Sequence, residues 1–168
     1  MDIFCEYIVK VKRSPIEILI SVFSVLVAAI LIFMSLALLS TPFSSFVLLI
    51  DAAIVYGVYI LITHFNVEYE YILTNGELDI DKIIAKRKRK RMFSMNVKEF
   101  EVLEPVEQNK TYANILDCST RTNSVDVYYA IFSKDNKRQT LIFNPPQKML
   151  ENMKQYSPRT IHLKGEIY

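Results

Sequence analysis

"VEYEYILTNGELDI", running from Val67 to Ile80, is where the chain changes its period. Val67, Tyr69, Tyr71 and Leu73 alternate with Glu68, Glu70 and Ile72, the pattern of a strand with one face in a core. Asn75-Gly76 follows. Both residues accept the left-handed backbone of a two-residue hairpin, so Glu77 to Ile84 reads as the return strand.

Upstream of this stretch the composition suits hydrocarbon rather than water. Ile18 to Leu39 is 22 residues without a charge, and Phe43 to Thr63 is 21 residues with one, Asp51. At about 1.5 Å per residue, either helix covers the roughly 30 Å of a bilayer core. Neither has the polar face of a helix on a soluble domain. The first run is too long for the core of a cleaved signal and a second follows at once, so it is read as retained. Only Ser40, Thr41 and Pro42 separate the two. That link closes a tight hairpin, with Pro42 near the first turn of the second helix. The predicted membrane part is residues 16–64, with spans at 16–40 and 43–64.

Orientation follows from the bases. The leader, residues 1–15, carries Lys10, Lys12 and Arg13; the hairpin tip carries none, and the chain after Asn66 carries seventeen. This bias places both ends on the cytoplasmic side of the cell membrane. In that reducing compartment Cys5 and Cys118, which lack metal-ligand spacing, read as plain thiols. The sequon Asn109-Lys110-Thr111 reads as chance. The leader has two open readings. Ile3, Phe4, Tyr7, Ile8 and Val11 share a helical face, as in an interfacial helix ending before Pro15; the other reading is an unstructured tail.

Beyond the first turn the period of two continues. "RMFSMNV" sets Phe93, Met95 and Val97 on one face, and "EFEVLEP" stops at Pro105. "ILDCST", "VDVYYAIFSK" and "RQTLIFN" follow, the last two joined by a turn at Asp135-Asn136. Met149, Leu150, Met153 and Tyr156 then form a stripe at helical spacing. The predicted helix is 145–156, with Asn144 as N-cap, Pro145 as first residue and Pro158 as stop. The predicted domain, residues 66–157, is mainly β: about seven antiparallel strands in a partly open barrel, capped by the C-terminal α-helix. Residues 158–168 are read as a tail.

This order of strands and closing helix, with "YILTNGELDI" just after a helical hairpin, resembles the bacterial branch of the pleckstrin-homology-like (PH-like) domains, found in small two-span membrane proteins. The resemblance covers roughly Glu68 to Tyr156. It implies the fold, and a habit of binding lipids or proteins without catalysis. Lipid-binding members of the eukaryotic branch hold inositol phosphates with bases on a long first hairpin loop. The first loop after the membrane is Asn75-Gly76, backed by Glu77, Asp79 and Asp81, so no phosphoinositide site carries over.

The candidate binding surface is the basic run Lys86, Arg87, Lys88, Arg89, Lys90 and Arg91. The net charge is only +2, so six adjacent bases are a local concentration, and such a cluster near a membrane helix favours anionic lipid headgroups. A protein partner and a merely solvated run are the other readings; nucleic acid is not expected. On a continuous strand only three bases would meet a surface together, about 3 kcal/mol, whereas a hairpin tip would gather all six, at most about 6 kcal/mol.

Asp51 lies about 12 Å in from the outer end of its helix. Facing lipid it would cost roughly 2.5–3.5 kcal/mol, so it should face the first helix near Ile32 and Ser35. One reading is a hydrogen-bonded structural acid, inside the hairpin or between protomers packed through Ala53 and Gly57. The other is an ion relay in an oligomeric transporter or channel. The three glycines build no phosphate-cradling loop, and His64 and His162 head no ligand cluster. No catalysis, cofactor or metal is expected. The expected function is a membrane-anchored, non-catalytic PH-like module at the inner surface that binds anionic headgroups or a protein, with self-association through the hairpin.

Overall fold

A computed structural model describes residues 3–107, 110–121 and 126–165. Asn109 of the sequon and Val125, where "VDVYYAIFSK" begins, lie outside the described residues. The chain forms two compact units, residues 13–66 and residues 1–12 together with 67–168.

The first unit is helical: α1 (Pro15–Ser35), a 3-10 stretch (Leu36–Ser40) and α2 (Ser44–His64). Both helices are long and apolar enough to cross a membrane. Pro15 opens α1, where its missing N–H is no loss, and the Ser14 N–H donates to the Glu17 carboxylate at 2.8 Å. Large side chains such as Phe33, Leu48 and Leu49 point outward, whereas the buried positions of α1 are Ser21, Ala28 and Ser35. They recur every seven residues, a seam of small side chains that lets α2 approach closely. Ala53 is exposed and a Cβ on Gly57 would meet nothing within 4 Å, so these two small residues do not pack against α1 within the hairpin.

The second unit holds two four-stranded sheets. β1 (Phe4–Lys10), β2 (Val67–Thr74), β3 (Glu77–Ile84) and β4 (Lys88–Asn96) form an antiparallel sheet in that order. A 3-10 turn, Val97–Glu99, leads to β5 (Phe100–Pro105), β6 (Ile115–Asp117), β7 (Tyr128–Lys134) and β8 (Lys137–Phe143), ordered β5-β7-β8-β6. The sheets do not close into a barrel. Between them lies a core of Tyr71, Leu73, Leu78, Ile80, Phe100, Leu103, Phe132 and Phe143, closed by Met149, Leu150 and Met153 of α3 (Gln147–Tyr156). Asn75 (φ 49°) and Gly76 (φ 87°) make the expected tight turn. Gly76 is needed twice over, because a Cβ there would sit 2.9 Å from the Tyr156 ring.

Several expectations change. The leader is neither interfacial helix nor loose tail: all seven residues of β1 pair with β2, from Phe4↔Thr74 to Lys10↔Glu68. Apolar residues at nearly every position fit both periods, and the open edge of β2 decides between them. The strands therefore number eight among the described residues. The short β6 runs parallel to β8, not antiparallel. The C-terminal helix starts at Gln147, not Pro145, because a residue preceding proline is pushed out of the helical region, and Pro145 precedes Pro146. Asn144 is consequently no N-cap; its side chain accepts from the Thr120 N–H at 2.8 Å and donates to the Asp126 carbonyl at 3.2 Å. Past the helix, Ile161 is fully buried and bridges to Leu103.

The strand in the leader alters the topology. The first hairpin connection of the β unit is not Asn75-Gly76. It is the helical hairpin itself, inserted between β1 and β2.

Candidate functional site

The sheet register locates the basic run. Lys10 lies opposite Glu68, Val67 opposite Ile84, and Ile84 opposite Lys88. The last residue of β1, the first of β2, the last of β3 and the first of β4 thus share one end of the sheet. From that same end the chain leaves towards α1 and returns from α2, the Val11 N–H donating to the Val67 carbonyl at 3.0 Å.

The first two bases of the run lie in a turn and the other four in a strand. Ala85 (φ 53°) and Lys86 (φ 56°) form a tip that closes where the Arg87 N–H donates to the Ile84 carbonyl at 3.0 Å. Lys88 to Arg91 belong to β4. A bulge shifts the register, since Ile80 faces Phe93 while Asp81 faces Arg91, leaving Met92 as the extra residue.

Arg89 and Arg91 are engaged within the sheet. Arg89 grips Glu70 with both terminal nitrogens, at 2.7 and 3.2 Å. Arg91 donates to Asp81 and lies 2.9 Å from Asp79. The alternation alone does not single out Glu70, Asp79 and Asp81 as partners of the basic run, yet Glu70 is only 1% exposed. Only the acids' half of the pairing is local: Glu70 on one strand and Asp79 and Asp81 on the next occupy the same face, while the arginines reach that face through the bulge. Burial raises the Glu70 carboxyl above the ordinary range, Arg89 pulls it back in part, and the neighbouring Glu6 carboxylate pushes it further up.

Lys86, Lys88 and Lys90 form no ion pair among the described residues, nor do Lys10 and Lys12. Lys10, Lys12, Lys86 and Lys88 all sit at the sheet end that carries the two connections. That end spans four strands at roughly 4.8 Å each, so the lysines lie within about 15 Å of one another along it.

Asp51 has its partner inside the helical unit. The Ser35 hydroxyl lies 2.8 Å from Asp51 Oδ1 and 2.7 Å from the Ile32 carbonyl, so its one proton is shared between them. This bond ties α1 to α2.

A second polar cluster joins Tyr129, whose hydroxyl donates to Glu104 and accepts from Lys110 Nζ at 2.8 Å. His162 Nδ1 lies 3.0 Å from the other Glu104 oxygen. Tyr129 is wholly buried, and burial followed by Glu104 raises its hydroxyl pKa. Such a phenol is a poor nucleophile, and the cluster fastens the segments around Lys110 and His162 to β5 and β7. Among the described residues no group of three or more histidines, cysteines or carboxylates could hold a metal ion.

No curated protein and no solved structure matches the chain. Residues 1–163 match the family described as bacterial PH-like domain (DUF6106). That match takes in β1, the helical hairpin and both sheets as one unit, as the insertion of the hairpin between paired strands requires, and the chain belongs to this bacterial PH-like domain family.

Proposed function

We propose that the helical hairpin anchors the PH-like unit in the cell membrane, with the unit on the cytoplasmic side, and that its lysine-bearing sheet end binds anionic lipid headgroups. The observation that supports this reading is the register: the tip at Lys86 and the two membrane connections share one end of one sheet. Lys12 stands three residues before α1, a reach of at most about 10 Å, so the covalent anchor holds that end near the surface. Lys10, Lys12, Lys86 and Lys88, each supplying about 1 kcal/mol near an anionic leaflet, give an upper bound of about 4 kcal/mol. Arg89 and Arg91 are discounted because Glu70, Asp79 and Asp81 already neutralise them. Tethering raises the local lipid concentration, so this weak attraction suffices to orient the unit.

The Ser35 bond supports a structural role for Asp51, holding the hairpin closed. Neither helix alone encloses a path for ions, and self-association through the hairpin belongs to the same proposal.

The test uses the full chain in nanodiscs of phosphatidylcholine with and without phosphatidylglycerol. Hydrogen exchange of the 83–91 segment should slow several-fold in the anionic discs. High salt should reverse the effect, and Lys86→Gln/Lys88→Gln should remove it. Identical exchange in the two lipids would rule the lipid reading out and leave a protein partner.

A further inference from the structure

β1 is the outermost strand of its sheet, and the hydrogen bonds at its two ends fix which of its backbone groups are spent. The Ile3 carbonyl accepts from the Asn75 N–H at 2.9 Å, and the Val11 N–H donates to the Val67 carbonyl at 3.0 Å. No register shift falls between them. The odd-numbered residues therefore turn N–H and C=O towards β2, and the even-numbered ones turn theirs away. The Lys12 N–H, which donates to the Thr120 carbonyl at 3.0 Å, follows the same phase. The N–H and C=O groups of Phe4, Glu6, Ile8 and Lys10 thus lie along a free edge, and no hydrogen bond occupies them among the described residues.

Free edges of this length are commonly blunted by a proline or a bulge. β1 has neither. Val9 points into the core, so Phe4, Glu6 and Ile8 share the outer face, where the two apolar side chains, 66% and 46% exposed, flank the acid. The Glu6 carboxylate stands near that of Glu70, whose one arginine is Arg89, so negative charge is in excess there. On the inner face Tyr7 and Val9 border a cleft of about 630 Å³ with a mixed lining that includes Tyr128, Pro146 and Gln147.

We infer that β1 takes an added strand from a partner protein: an extended segment with a base opposite Glu6, apolar side chains opposite Phe4 and Ile8, and its alternate side chains in the cleft. Unpaired backbone donors and acceptors at strand spacing specify another extended backbone, and side-chain pockets on alternate positions give it specificity. A second copy of this chain does not fit. A two-fold pair through this edge is antiparallel, which turns the two lysine-bearing sheet ends in opposite directions, whereas in the function proposed above both face one membrane. The choice of partner over copy rests on that reading; the free edge itself does not.

The experiment uses the full chain, one per phosphatidylcholine nanodisc. The probe is an end-capped heptapeptide of alternating threonine and valine with a central arginine. Residue-resolved hydrogen exchange is followed as it is titrated. The N–H groups of Phe4, Glu6, Ile8 and Lys10 should exchange fast without peptide and about tenfold more slowly at saturation, while those of Cys5, Tyr7 and Val9 stay slow throughout. Ile8→Pro removes an outward N–H and spares the β2 ladder, so it should abolish the effect of the peptide with Tyr7 and Val9 still slow. Glu6→Lys should weaken the arginine peptide about threefold and strengthen a glutamate-centred one as much. Lys86→Gln/Lys88→Gln, which removes the lipid contact, should leave the titration unchanged. No slowing of the even-numbered amides, or slowing that survives Ile8→Pro, overturns the inference. Slowing without peptide that appears only when a disc holds two chains assigns the edge to a second copy and overturns it as well.

Discussion

Tyr71 carries more of the β unit than its type suggests. Its hydroxyl donates to the Cys118 carbonyl at 2.7 Å and accepts from the Asn144 N–H at 3.2 Å, while its ring meets Phe143 edge-on at 5.7 Å. Tyr71→Phe keeps the ring and strands two buried backbone groups, so it should cost about 2–3 kcal/mol in denaturant unfolding. Cys118 beside it is fully buried, and burial pushes its thiol up to about 12. In the folded chain a maleimide should therefore modify Cys5 and spare Cys118, with Cys118 reacting only on unfolding.

Glu70 gives the pH dependence. Its folded carboxyl is raised above the unfolded value of about 4.3, so between those two values the folded state binds more protons. Stability from this group is then present at low pH and falls as pH rises through the raised value. Glu70→Gln should flatten that fall in denaturant midpoints measured across roughly pH 4 to 7, and should be neutral or stabilising near pH 7. A steeper fall in the variant would contradict this assignment.

At the scale of elements, how far the sequence could be read depended on whether the signal was local. The Asn75-Gly76 turn, the return strand, the alternation through Phe93, Met95 and Val97 and the Met149–Met153 stripe are all set by neighbours in sequence. Each is found where the pattern puts it. β1 could not be read that way, because its partner lies beyond the whole helical hairpin and nothing local distinguishes its apolar run from a helix. The pairing of Arg89 and Arg91 was hidden for a related reason. It depends on a bulge at Met92, which no residue type announces. Asp51 was easier, since counting along two antiparallel helices brings it opposite Ser35. If β1 completes the sheet, deleting residues 1–12 should expose the β2 edge and abolish slow hydrogen exchange through 67–84. Asp51→Asn keeps a partner for the Ser35 hydroxyl and should leave the hairpin folded, whereas Asp51→Leu removes that partner and should lower its thermal stability by about 1 kcal/mol.

For the whole molecule, the consequence is topological. Two strands bonded to each other over seven residues cannot lie on opposite faces of a membrane. The two helices between them must therefore both cross or both stay out. The short connections at Lys12 and Val67 follow from that insertion. The direct measurement is labelling of cysteines introduced one at a time into a Cys5→Ser background, in which Cys118 stays buried, with a membrane-impermeant maleimide applied to intact and then permeabilised cells. Thr41→Cys should react from outside, and Glu6→Cys and Lys134→Cys only after permeabilisation. Reaction of Glu6→Cys and Lys134→Cys from opposite sides, or of Thr41→Cys from the same side as both, would contradict the account.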